Sequence, residues 1–220
     1  MTGTLALVGG DEFAEGCTFD VDLLAASGGN EVVVLATAAA YERPERLVTR
    51  AVAWFASLGA RVEAPPVFTR PDALEDHHVA LIRSAAFVYL AGGSPMHLRS
   101  VLKDSPLLDA LITAWQGGAV LAGSGAGADV LCDPMVDPRG GAYTVGLGLV
   151  GGLAVIPRYD TWSHDKVHRT VGIAPDGVVV AGVPARTAII RDASGSWRAD
   201  GVGEVDVWSE HLPASLDALP

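Results

Sequence analysis

The run Gly123-Ser124-Gly125-Ala126-Gly127-Ala128 follows the apolar segment Ala119-Val120-Leu121-Ala122 and precedes a helix-like stretch. A strand, a tight turn of small residues and a helix N-terminus together display a catalytic serine beside backbone N–H donors. The small neighbours let the turn close and let a substrate approach the backbone. Here the tip of the turn carries Gly125, and the only hydroxyl, Ser124, stands one residue early. Side chains alternate sides along a strand, so a shift of one residue re-aims that hydroxyl. Ser124 would serve as a relocated nucleophile of a serine hydrolase only with a base within about 3 Å, supplied by His164 or His168.

Other strand ends add to this picture. In an open parallel sheet, sites form beyond the carboxyl ends of the strands. Three such ends are rich in glycine: Gly9-Gly10, Gly92-Gly93-Ser94 and the turn at Gly123 to Gly127. Backbone N–H groups near Gly93 and at Ala126 are placed to form an oxyanion or anion pocket, helped by the dipole of the following helix. Asp129, four residues after Gly125, either caps that helix or faces the pocket. A separate reading is metal binding through His164 and His168 in His164-Asp165-Lys166-Val167-His168, since i and i+4 share a helix face. No third ligand follows from the spacing. His77, His78, His97 and His211 read as structural or surface residues.

The elements that would hold these residues alternate between strand and helix. Leu5–Val8, Glu31–Ala36, Arg61–Ala64 and Phe87–Leu90 read as strands, the apolar ones as buried on both faces. Pro44–Leu58, Pro71–Ser84 and Met96–Trp115 read as helices, the last with a break near Pro106. Further on, Leu153–Ile156 and Val178–Ala181 read as strands around a short helix from His164 to Val171. Thr187–Arg191 and Glu204–Trp208 read as a hairpin about Ser194-Gly195-Ser196. The pattern predicts one α/β domain over residues 1–220: a three-layer sandwich with a mostly parallel central sheet and an antiparallel C-terminal extension.

Composition narrows the function classes. The net charge of −11 argues against a nucleic-acid or anionic-membrane surface. No apolar run reaches spanning length, and no basic segment precedes the first apolar run, so a cytoplasmic location is expected. Two cysteines, Cys17 and Cys132, give no disulfide framework. No cofactor is expected.

The chain resembles the S51 serine peptidase family, which includes dipeptidase E and cyanophycinase, on the class I glutamine amidotransferase-like (flavodoxin-like) fold. The resemblance rests on Ala91-Gly92-Gly93-Ser94-Pro95, Gly123 to Ala128, Leu147-Gly148-Leu149 leading to Ile156-Pro157-Arg158-Tyr159-Asp160, and Gly182-Val183-Pro184-Ala185-Arg186-Thr187-Ala188. It implies a hydrolase whose serine falls on Gly125 and whose histidine, in a Pro-His-Tyr/Phe segment, falls on Arg158. A carboxylate that many members place before a Thr-Ala pair is replaced by Ala185. The amidotransferase alternative lacks its cysteine, because neither Cys17 nor Cys132 lies at the turn. Arginine cannot act as a general base near neutral pH. Beside a helix N-terminus it favours a carboxylate or phosphate, unless it pairs with Asp160 or faces solvent. The expectation is therefore a homologue that has lost catalysis. Gly92, Gly93, Ser94, Ser124, Gly125, Ala126, Arg158 and Tyr159 would bind a small carboxylate-bearing molecule, a peptide or a protein partner. Trp162 and Tyr159 would shape the mouth. Dimers occur in the wider fold, so a homodimer is expected.

Overall fold

The computed structural model describes residues 2–220. The chain runs β1 (Leu5–Val8), α1 (Phe19–Ser27), β2 (Glu31–Leu35), α2 (Pro44–Ser57), β3 (Arg61–Glu63), α3 (Asp76–Ser84) and β4 (Phe87–Leu90). It continues through α4 (Pro95–Leu102), α5 (Pro106–Gln116), β5 (Val120–Ser124) and α6 (Ala126–Leu131). Short strands β6 (Cys132–Asp133), β7 (Met135–Val136), β8 (Tyr143–Thr144) and β9 (Val150–Gly151) then lead to β10 (Leu153–Pro157) and α7 (His164–Gly172). The last segments are β11 (Val179–Val183), β12 (Thr187–Arg191), β13 (Trp197–Gly201), β14 (Asp206–Ser209) and β15 (Leu212–Ala214).

Strand order in the main sheet is β13-β12-β1-β5-β4-β2-β3. From β1 to β3 every pairing is parallel, and β12 and β13 add antiparallel to the β1 edge. Alternation along the strands explains the layers, because successive side chains leave a strand on opposite faces. Leu5, Leu7, Val33, Leu35, Val88, Leu90 and Leu121 enter one core with residues of α3 to α6. Ala6, Val8, Val32, Val34, Phe87, Tyr89, Val120 and Ala122 enter the other with α1 and α2. Both faces are thus covered, which is the condition for continuously apolar parallel strands. The result is the expected three-layer α/β sandwich.

Several elements depart from the sequence reading. α1 was not anticipated: it carries Asp20 and Asp22 among its apolar residues, and Asp20 is itself buried. The helix expected over Pro71–Ser84 begins as a 3-10 turn at Asp72–Leu74 and becomes α-helical only from Asp76. The long helix breaks at Asp104-Ser105, where Ser105 caps α5 by accepting from Leu108 N–H and Pro106 takes the first helical position. Across Ser194-Gly195-Ser196, β12 pairs with β13 rather than with Glu204–Trp208. The latter region supplies β14 to a second, six-stranded sheet of order β15-β14-β11-β10-β6-β9. One face of that sheet joins the α3–α6 core, while Ala154, Ile156 and Val180 pack under Val171 of α7.

Register gathers the site. Val8 lies opposite Ser124, and Leu90 opposite Gly123, so β1, β4 and β5 end level with one another. The loops that leave these ends therefore meet above one edge of the sheet.

Candidate functional site

At the tip of the β5–α6 turn, Gly125 holds φ 52° and ψ −108°. This is a backbone conformation that L side chains occupy only under strain, and glycine adopts it freely. The turn is closed by Gly125 N–H donating to Val8 O at 2.9 Å, and Asp129 N–H returns to Gly125 O at 3.0 Å. A side chain at 125 would meet open space, its nearest neighbour being Gly92 Cα at 3.8 Å. Two residues on, Gly127 passes so close to β4 that a Cβ there would lie 2.3 Å from Leu90 O. The backbone geometry of an elbow is therefore intact around a tip with no side chain.

Gly125 and Ala126 open onto a cavity of about 760 Å³ shared with Gly92, Gly93 and Arg158. Among the described residues its lining holds no serine, cysteine or histidine. Its one hydroxyl, Thr161 Oγ1, donates to Arg158 O at 2.7 Å. Arg158 sits in a left-handed conformation (φ 51°, ψ 39°), with its N–H donating to Gly9 O at 2.7 Å. Its guanidinium pairs with Asp11 at 3.1 Å, not with Asp160. Asp160 Oδ1 instead accepts from Ala185 N–H at 2.8 Å. Arg158 remains about half exposed, so its other N–H donors are open to the cavity mouth.

A residue that sequence reading missed organises the floor. Glu12, only 4% exposed, lines the cavity and receives Gly92 N–H on Oε1 at 2.9 Å and the Ser124 hydroxyl on Oε2 at 2.7 Å. Gly92 thus lines the cavity while its N–H is already given away. Gly93 and Ala126 line it too, and their N–H groups meet no protein acceptor among the described residues. Asp129 also faces the cavity. Its Oδ1 accepts from Val136 N–H at 2.8 Å, and burial pushes its carboxyl well above the usual range. Trp162 forms part of the mouth, with Lys166 Nζ 3.4 Å above its ring.

Four expectations need correction. Ser124 is fully buried at the end of β5 and does not line the cavity. His164 and His168 line a different cavity, beside Trp208 and His211, so neither is a partner for the Ser124 hydroxyl, which is bound to Glu12. Ser94 is engaged as the cap of α4, accepting from His97 N–H at 3.3 Å. Tyr159 points away from Arg158: its ring packs on Gly182 and Trp208, and its hydroxyl donates to Asp206 Oδ2 at 2.6 Å. As for metals, His164 and His168 gain no third ligand among the described residues. Among the described residues the one group of three donors near enough to share an ion is Glu75, His77 and His78. His77 and His78, though adjacent in sequence, stack at 3.9 Å at the start of α3.

A small-residue elbow at the carboxyl edge of a parallel sheet, facing glycine loops, places the chain among α/β proteins built around a strand–turn–helix site. The model of Peptidase family S51 matches residues 6–190, and the chain belongs to that family. Cyanophycinase of Synechococcus elongatus is 25% identical over 215 residues, which cover 92% of this chain and 66% of that relative. The chain thus spans just under two thirds of that relative's length. Cyanophycinase of Nostoc sp. (strain PCC 7120 / SAG 25.82 / UTEX 2576) is 24% identical over 218 residues, covering 94% of this chain and 73% of the relative. Among solved structures, a peptidase from an acI-B1 Actinobacterium superposes with a TM-score of 0.87 at 27% identity, over 97% of this chain and 93% of that one. A putative Peptidase E protein from Listeria monocytogenes EGD-e shares the fold, with a TM-score of 0.70 at 16% identity over 92% of this chain and 100% of its own.

Proposed function

We propose that this member of the S51 family binds a small carboxylate-bearing molecule or peptide without hydrolysing it. The observation that carries the reading is the cavity itself. Its elbow tip is a glycine, and no serine, cysteine or histidine stands among its described lining residues. Nucleophilic acyl transfer needs a nucleophile and a base within hydrogen-bond reach of one another. Neither is present at the position the fold prepares for it.

The remaining groups suit capture of an anion. Gly93 and Ala126 N–H groups offer two backbone donors, and Arg158 offers a guanidinium fork that matches a carboxylate. The Asp11 carboxylate holds Arg158 in place while leaving part of the fork open. Isothermal titration with succinate tests this reading. Arg158→Ala is expected to lower succinate affinity at least tenfold with the fold unchanged by circular dichroism. An unchanged dissociation constant would remove Arg158 from the site.

A further inference from the structure

Five of the chain's 15 lysines and arginines line this one cavity, in a molecule of net charge −11. Two are committed: Arg158 to Asp11, and Lys166 to Pro138 O at 2.8 Å and the Trp162 face. The other three, Arg43, Arg46 and Arg50, form no ion pair among the described residues. Arg46 and Arg50, at i and i+4, share one face of α2 over about 6 Å, and Arg43 stands at its N-cap, so all three line the same side of the cavity.

A face built only for solubility would alternate charge, because like charges at i+3 and i+4 repel. Here Arg43, Arg46 and Arg50 line one cavity wall instead. Arg43 is also held in a left-handed conformation at φ 59°, as are Asp11 (φ 53°) and Arg158 (φ 51°) on the same cavity. Non-glycine residues in that region gather where a structure over-determines them for a purpose. The acidic groups on the lining do not cancel the row. Five basic side chains face four acidic ones there: Asp11 pairs with Arg158, Glu12 accepts from Gly92 and Ser124 on the floor, burial pushes the Asp129 carboxyl well above its usual range, and Glu42 forms no ion pair among the described residues.

From this arrangement we infer that the α2 wall is a second anion subsite, and that the ligand is an oligoanion. Its negative groups, phosphates or carboxylates, extend from the elbow along Arg43, Arg46 and Arg50. This rests on the reading of the cavity as a ligand site. Each arginine presents a planar fork to one anionic group, so affinity should rise with the number of groups on the ligand.

The test is isothermal titration at 0.15 M salt with sodium tripolyphosphate, citrate and orthophosphate. Wild-type protein is expected to bind tripolyphosphate or citrate at least tenfold tighter than orthophosphate, and the tighter of the two names the source of charge. The Arg46→Gln/Arg50→Gln double variant should lose at least tenfold in oligoanion affinity while its succinate affinity stays within twofold. A control pair on another surface, Arg61→Gln/Arg198→Gln, should change neither. Wild-type-like oligoanion binding by the α2 double variant, or an equal loss in the control, would overturn the inference. Failure of the parent reading would show differently, as succinate binding indifferent to Arg158→Ala.

Discussion

Replacing Gly125 by alanine probes the elbow without adding chemistry. The residue sits at φ 52° and ψ −108°, where a non-glycine residue stores about 1–3 kcal/mol of strain. Alanine also stiffens the unfolded chain, which offsets about 0.4–1 kcal/mol of that loss. Contacts contribute little, since the new Cβ finds Gly92 Cα at 3.8 Å and nothing nearer. At the midpoints of these ranges the net expectation is a destabilisation of about 1.3 kcal/mol, or roughly 3–5 °C in Tm for a chain of this size. Urea denaturation followed by tryptophan fluorescence measures it, with thermal melts alongside. Gly127→Ala is the control: its Cβ would press on Leu90 O at 2.3 Å, so its loss should be larger. A Gly125→Ala protein as stable as wild type would refute the claim that the turn is held in elbow geometry. Gly125→Ser should cost about as much and release no product from peptide or ester substrates.

Two further outcomes follow from buried carboxyls. Asp20 is fully buried, its carboxyl pushed up to about 7 by burial, with Trp54 Nε1–H bound to Oδ2 at 2.8 Å. The folded state therefore holds a proton that the unfolded state releases near pH 4, so this contribution is complete below pH 4 and is lost as pH rises to about 7. Its size is on the order of 4 kcal/mol, and the difference between wild type and Asp20→Asn in urea midpoints from pH 4 to 8 isolates it; parallel curves would count against it. Asp129→Ala should cost about 1–3 kcal/mol by leaving the Val136 N–H without an acceptor. Asp129→Asn should cost less, because it keeps the acceptor and imitates the protonated acid; equal losses in urea denaturation would contradict this.

The parallel sheet was readable because β1, β2, β4 and β5 are short and mostly apolar, and β1, β4 and β5 run into glycine turns, as strands buried on both faces do. The second sheet was not. Its strands β6 and β9 have two residues each, too few for any periodicity, and β14 pairs with β11 across more than twenty residues. α1 escaped because Asp20 breaks its apolar face, an error that only burial and the Trp54 bond resolve. At the site, Gly125 at the tip of the turn and Arg158 after β10 were legible in the sequence. Glu12 was not, since its role depends on partners 80 and 112 residues away. Its one sequence clue was an acid following a strand-ending glycine pair, Gly9-Gly10-Asp11-Glu12. Tyr159 shows the opposite error: adjacency to Arg158 suggested a shared pocket, but the two side chains leave the turn in different directions.

The proposed absence of hydrolysis rests on the elbow of this S51-family chain carrying no working nucleophile. Intact-mass analysis after incubation with a fluorophosphonate probe, on folded wild-type protein and on Ser124→Ala, tests it most directly. Both proteins are expected to keep their unmodified mass, because Ser124 is buried and its hydroxyl is bound to Glu12. A stoichiometric adduct on wild type that disappears in Ser124→Ala would contradict it and return the chain to the hydrolases.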